Sequence, residues 1–178
     1  MNSLTINIEH PVKIPSGNSF LNGLLYIPEK AQGIVLFVHG SGSSRFSVRN
    51  QFVARSLNQA NLATLLFDLL TPDEESIDNY TREYRFNIPL LASRLIDTTH
   101  WCINELESFH LAIGYFGAST GGGAALVAGA QLPDKVSAIV SRGGRPDLAG
   151  TYLPFVNVPT LFIVGGLDGV VIELNEQA

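Results

Sequence analysis

Leu111-Ala-Ile-Gly-Tyr-Phe-Gly117-Ala118-Ser119-Thr120-Gly121-Gly122-Gly123-Ala-Ala-Leu-Val127 is the stretch on which the fold turns. An apolar run, Leu111 to Phe116, reads as a strand and leads straight into Gly-x-Ser-x-Gly. Helical sequence follows from Gly121 to Gln131. A strand that reverses sharply into a helix forces its central residue into a strained backbone conformation and lifts that side chain alone above the sheet. Gly117 and Gly121 remove the Cβ atoms that would collide where strand and helix nearly touch. The helix N-terminus offers unpaired N–H groups and positive potential to an oxyanion. Glycine inside a helix costs about 0.8–1 kcal/mol relative to alanine. Three in a row therefore point to a strained or functional turn. The plainer reading of the same glycines is a tight packing contact.

Outward from this turn the pattern repeats. Ile34–Val38, Ala63–Phe67, Val136–Val140 and Thr160–Val164 are apolar on both faces, as strands are inside a parallel sheet covered by helices. Helical periodicity lies between them. Val48, Phe52, Val53 and Leu57 form one apolar stripe, with Ser47 as N-cap and Asn61 as the stop. Leu91, Leu95, Thr98 or Thr99, Cys102 and Leu106 form a second, opened by Asn87 and Pro89. Near the N-terminus, alternation predicts strands over Leu4–Glu9 and Phe20–Ile27, joined as an antiparallel hairpin by Pro15-Ser16-Gly17-Asn18. The acidic stretch Thr71–Tyr84 reads as a surface excursion, either a lid or a solvated loop. The fold class is α/β: a sandwich on a mostly parallel sheet. Residues 1–178 read as a single domain.

Composition narrows the function. The chain is 46% hydrophobic and 15% charged, which excludes disorder, and its net charge of −5 argues against nucleic acid or an anionic membrane as partner. Its apolar runs are strand-sized, and MNSLTINIEH lacks a signal-peptide profile. The lone Cys102 excludes an internal disulfide, so the default compartment is the cytoplasm. The absence of a Cys/His cluster gives no reason to expect a metal, and no cofactor is called for.

Val38-His39-Gly40-Ser41-Gly42-Ser43-Ser44 adds a glycine-rich turn at the end of the first fully apolar strand, where backbone N–H groups can approach a ligand. Together with GASTG and with Ile163-Val164-Gly165-Gly166-Leu167-Asp168 after a later strand, it resembles the α/β-hydrolase superfamily, and most of all its dienelactone-hydrolase-like branch. The resemblance covers almost the whole chain. It implies that Ser119 is the nucleophile and that the N–H groups of Thr120 and Ser41 form the oxyanion hole. It further implies that Asp168 orients a catalytic histidine, and that the reaction is hydrolysis of a small-molecule ester or lactone through an acyl-enzyme. Dienelactone hydrolases proper carry cysteine at the elbow, so Ser119 departs from them.

A second departure is the base. The superfamily's order is nucleophile, acid, histidine, and no histidine follows Asp168. His10 precedes the parallel strands, His100 lies mid-helix, and His110 sits at the wrong end of the strand that leads to Ser119. His39 alone falls at the right edge, as a substitute base. The expectation is a chain that is C-terminally incomplete, lacking the last strand and helix of the family. Its strand Thr160–Val164 would then be left as an edge open to self-association.

Arg142 and Arg145 follow a strand end. Each reads as a clamp for an anionic substrate's carboxylate or as a loop residue tied to Asp147. Two other readings stay open: a non-catalytic binding module on the same fold, and a dinucleotide-binding domain. The latter rests on Gly40-Ser-Gly42 and on Asp68 at the next strand's end, with Arg45 standing where a third glycine belongs.

Overall fold

The computed structural model describes residues 4–178. Among these, seven strands form one sheet in the order β1-β2-β4-β3-β5-β6-β7. They are β1 (Glu9–Ser16), β2 (Ser19–Tyr26), β3 (Gly33–Val38), β4 (Leu62–Phe67), β5 (Ala112–Ala118), β6 (Val136–Arg142) and β7 (Thr160–Ile163). The β1–β2 hairpin lies antiparallel against β4, and β4, β3, β5, β6 and β7 run parallel. The helices are α1 (Val48–Gln59), α2 (Pro72–Thr81), α3 (Ile88–Glu105), α4 (Thr120–Gln131) and α5 (Gly169–Glu176). None is long and apolar enough to cross a membrane.

Side-chain alternation feeds two cores. Leu36, Leu65 and Tyr115 point to the large one, shared with Leu95 of α3 and Leu126 of α4. Their neighbours Phe37, Leu66 and Phe116 point to the opposite face, where α1 contributes Ala54. The stripe expected on α3 is buried as read, from Leu91 through Cys102. On α1 the expectation fails in part. Val48 and Phe52 are 78% and 66% exposed, because the helix turns Asn50 and Ala54 inward.

Two further expectations are corrected. The first strand is Glu9–Ser16, not Leu4–Glu9. Asn7 breaks the earlier run by adopting a left-handed conformation (φ 61°), with its Oδ1 accepting from the Glu29 N–H. Pro11 and Pro15 are tolerated in β1 because it is an edge strand. The stretch Thr71–Tyr84 is mostly the helix α2, not a loop. Thr71 and Glu74 form a reciprocal capping box and Pro72 opens the first turn, a start signal that outweighs the acidic composition.

Helix α4 lies unusually close to the sheet. A Cβ on Gly121 would fall on the Val38 carbonyl oxygen and within 2.6 Å of the His39 carbonyl oxygen. One on Gly117 would lie 2.7 Å from Gly121 O. His39, just beyond β3, ties the ends of β3 and β4 together. Its Nδ1 donates to Gly40 O at 2.9 Å and its Nε2 accepts from the Leu69 N–H at 3.1 Å. Burial holds the His39 pKa below the ordinary imidazole value, against the Gly40 hydrogen bond and the charges of Asp68 and Glu75, which favour the cation.

Gly121→Ala is expected to destabilise the chain by about 3 kcal/mol or more, because backbone must move to admit the methyl group. Gly166→Ala, with open space around it, is expected to be nearly neutral. Urea unfolding of both variants checks the contrast. A second expectation concerns pH. The unfolded chain takes up a proton on His39 near pH 6.5, whereas the folded chain resists until lower pH. Stability from this group is therefore complete above that range and is lost as pH falls through it. The urea midpoint should fall between pH 7.5 and 5.5, and His39→Gln should flatten that slope.

Candidate active site

Register places the site. Val38 pairs with Gly117, Ala118 with Arg142, and Arg142 with Ile163. The C-terminal ends of β3, β5, β6 and β7 therefore share one edge of the sheet, where open α/β sheets bind ligands.

Ser119 is the hinge between β5 and α4, at φ 52° and ψ −123°. A serine at this positive φ is strained by about 1–3 kcal/mol and persists only where its surroundings hold it. They do so at both ends of the residue. Its N–H reaches Arg142 O at 3.4 Å, and its carbonyl accepts from the N–H groups of Gly122 (2.9 Å) and Arg145 (3.1 Å). Gly40 passes so close that a Cβ on it would sit 3.1 Å from Ser119 Cβ. The Ser119 residue is exposed to solvent.

The Thr120 N–H makes no hydrogen bond among the described residues. The Ser41 N–H is engaged, donating to Thr120 Oγ1 at 2.9 Å. Both amides flank Ser119, one beside it in sequence and one on the β3 loop. Asp168 lies beyond β7 at the same edge and caps α5, its Oδ1 accepting from the Val171 N–H at 3.4 Å. It does not line the groove that holds Ser119.

That groove, of about 320 Å³, is walled by Ser119, Arg142, Arg49, Asn50, Ser43 and Ser47 among others. Arg142 Nη2 donates to Asn50 Oδ1 at 3.3 Å, and the guanidinium lies 5.8 Å from the centre of the Phe116 ring. Arg145 instead forks onto Asp147 at 2.8 and 2.7 Å, as the internal-tie reading expects. Sequence reading missed Arg49 and Asn50. No local signal marked them, because the inward-facing Asn50 gains its role only from the Arg142 it meets from β6.

A second cavity, of about 220 Å³, lies behind the β3 loop and is lined by His39, Ser41, Asp68, Glu75, Asp78 and Arg85 among others. Both of its aspartates are already paired. Asp68 accepts from the Arg45 N–H at 2.8 Å and pairs with its guanidinium, which occupies the acid that a dinucleotide's ribose would need. Asp78 is 2% exposed and accepts from Arg85 Nε at 2.5 Å and from the Tyr84 and Arg85 N–H groups. Burial opposes its charge, but the Arg85 and Tyr84 hydrogen bonds prevail and hold the carboxyl below its usual range.

None of the four histidines lines the Ser119 groove. Both ring nitrogens of His39 are committed to Gly40 and Leu69, so it is a structural tie and not the substitute base considered above. His10 bonds to Thr5, His100 is exposed on α3, and His110 sits in a left-handed turn at the opposite end of β5. Cys102 is buried, and burial raises its thiol pKa so far that it stays protonated.

Comparison with known proteins supplies the lineage. No protein-family model matches the chain. Two curated relatives from strains of Mycobacterium tuberculosis, provisionally named phosphoribosyl transferases, are 56% identical over 170 residues; the chain spans only 38% of their length. A lidless α/β serine hydrolase from Xanthomonas campestris shares the fold at 18% identity and a TM-score of 0.69, covering 99% of this chain and 82% of its own. A dienelactone hydrolase from Anabaena variabilis superimposes with a TM-score of 0.93 at 59% identity, over 96% of this chain and 79% of that one. On that likeness, which extends over 96% of its length, the chain belongs to the dienelactone-hydrolase-like branch of the α/β hydrolases.

Proposed function

We propose that the chain carries the nucleophile of a serine hydrolase that cleaves a small-molecule ester or lactone through an acyl-enzyme. One observation carries the reading: an exposed serine held at φ 52° between a strand and a helix N-terminus. Such strain is kept where it serves chemistry. Phosphoribosyl transfer, the activity in the name of the mycobacterial relatives, gives no work to a strained hydroxyl. A non-catalytic binding module has no need to maintain the strain.

In this mechanism Ser119 Oγ attacks the ester carbonyl as its proton passes to a base. The carbonyl oxygen becomes an oxyanion held by the Thr120 N–H and by the Ser41 N–H, which gives up Thr120 Oγ1 to receive it. Collapse returns that proton from the base to the leaving oxygen, expels the alcohol or opens the lactone, and leaves an acyl-Ser119 and a free base. Water then attacks the acyl group with the same base taking its proton. Asp168 orients that base. None of the four histidines of these residues is placed to act as that base: none lines the Ser119 groove, and both ring nitrogens of His39 are committed.

The consequence for rate is large. Removing the histidine of a Ser-His-Asp triad costs about 10⁶ in kcat in subtilisin and leaves roughly 10³–10⁴ over water. The 178 residues should therefore release little p-nitrophenol from p-nitrophenyl acetate, and added imidazole should raise the release saturably. Ser119→Ala should leave only the solution reaction of imidazole, and mass spectrometry should find a transient acetyl group on Ser119. Identical kinetics for Ser119→Ala would overturn the nucleophile. Fast, Ser119-dependent turnover without imidazole would overturn the placement of the base.

A further inference from the structure

Charge at the catalytic edge is unevenly matched. Arg45, Arg85 and Arg145 are each paired with an aspartate, Asp68, Asp78 and Asp147 respectively. Arg49 and Arg142 have no acidic partner among the described residues, and both line the groove with Ser119. No Asp or Glu lines that groove. Arg142 is kept there at a cost to the fold, since its Nε is buried without a hydrogen-bond partner. Asn50 Oδ1 holds one edge of its guanidinium through Nη2, and the Phe116 ring centre lies 5.8 Å from its central carbon. Nη1 is neither bonded nor buried among the described residues, and so stays available to a ligand.

Other donors converge on the same space. Ser47 caps α1, a helix of 12 residues, and its Oγ accepts from the Asn50 N–H, which leaves its own hydroxyl proton free to donate. The first-turn N–H groups of α1 have no partner within the helix, and its dipole is positive at this end. Ser43 Oγ and Asn50 Nδ2 make no hydrogen bond among the described residues. Two uncompensated guanidinium groups, a helix N-terminus, two hydroxyls and an amide exceed what the two oxygens of a carboxylate can accept. They match the three terminal oxygens and near-dianionic charge of a phosphate monoester.

We propose that the Ser119 groove recognises a phosphate group, so that the substrate is an ester or lactone that also carries a phosphate monoester. The phosphate binds between Arg49 and Arg142 at the N-terminus of α1. It serves as a recognition handle, and no bond to phosphorus is made or broken. The placement of the reacting carbonyl over Ser119 rests on the hydrolase reading above; the phosphate site does not.

The test is equilibrium binding of phenyl phosphate to the 178 residues at low ionic strength, by titration calorimetry. One site per chain is expected. Arg49→Ala and Arg142→Ala should each weaken binding at least tenfold. Arg55→Ala, at an exposed arginine of α1 outside the groove, should have no effect. Phenylacetate should bind at least fivefold more weakly than phenyl phosphate. Ser119→Ala should retain the phosphate site, so loss of acylation and loss of phosphate binding report on different claims. Equal weakening by Arg55→Ala, no saturable binding, or a carboxylate held as tightly as the phosphate would overturn the proposal. Arg49 is exposed, so its variant keeps the test decisive should Arg142→Ala fail to fold.

Discussion

The close approach of α4 to the ends of β3 and β6 is the constraint on which the rest of this edge depends. Gly121 lies against the carbonyl groups of Val38 and His39, and Gly122 against Ser141 and Gly144. With no side chain between them, the first turn of α4 is pressed into the sheet edge. The residue entering that turn then has no room for an ordinary conformation. Ser119 takes the strain, and its N–H and carbonyl are both held by the 142–145 turn. The same contact sets Ser41 and Arg142 on either side of it. Hydroxyl, amides and guanidinium are thus neighbours through one backbone contact that only glycine permits.

This explains which features were legible in the amino-acid order. The parallel strands, the α3 stripe and the glycine-flanked serine are local signals, each dictated by burial on both faces or by a Cβ that cannot fit. The errors arose where context overruled pattern. Alternation over Leu4–Glu9 mimics a strand, but Asn7 turns the chain, and the hairpin begins only at Glu9. Acidic composition masked α2, although Thr71, Pro72 and Glu74 spelled a capping box. Val48 and Phe52 read as core because periodicity reports a stripe without saying how much sheet lies beneath it. Arg49 and Asn50 were invisible as site residues. Their importance comes from β6, more than ninety residues later, which brings Arg142 to Asn50.

The two cavities beside the β3 loop differ in a way that assigns their roles. In the one behind the loop, each arginine meets an aspartate, and His39 is locked in its neutral form between Gly40 and Leu69. Paired aspartates and committed hydrogen bonds make a wall against which Gly40 and Ser41 are positioned. The groove in front of the loop is the reverse among the described residues: arginines without an acidic partner, a Ser43 hydroxyl without a hydrogen bond, and an exposed serine held at positive φ.

Those unsatisfied features share a direction. The Thr120 N–H and the Arg142 Nη1 make no hydrogen bond among the described residues, and negative charge beside Ser119 would give both an acceptor. Ser41 fits the same pattern in a milder form. Its N–H is held in place by Thr120 Oγ1, a neutral acceptor that a developing oxyanion would outcompete, because hydrogen bonds to charged acceptors are roughly twice as strong. On the proposed mechanism the Thr120 hydroxyl would hold that amide until an oxyanion displaces it. Such an edge would then discriminate by charge twice, once at the reacting carbonyl as it becomes an oxyanion and once at a phosphate lodged against α1. A neutral ester would meet the first of these and miss the second.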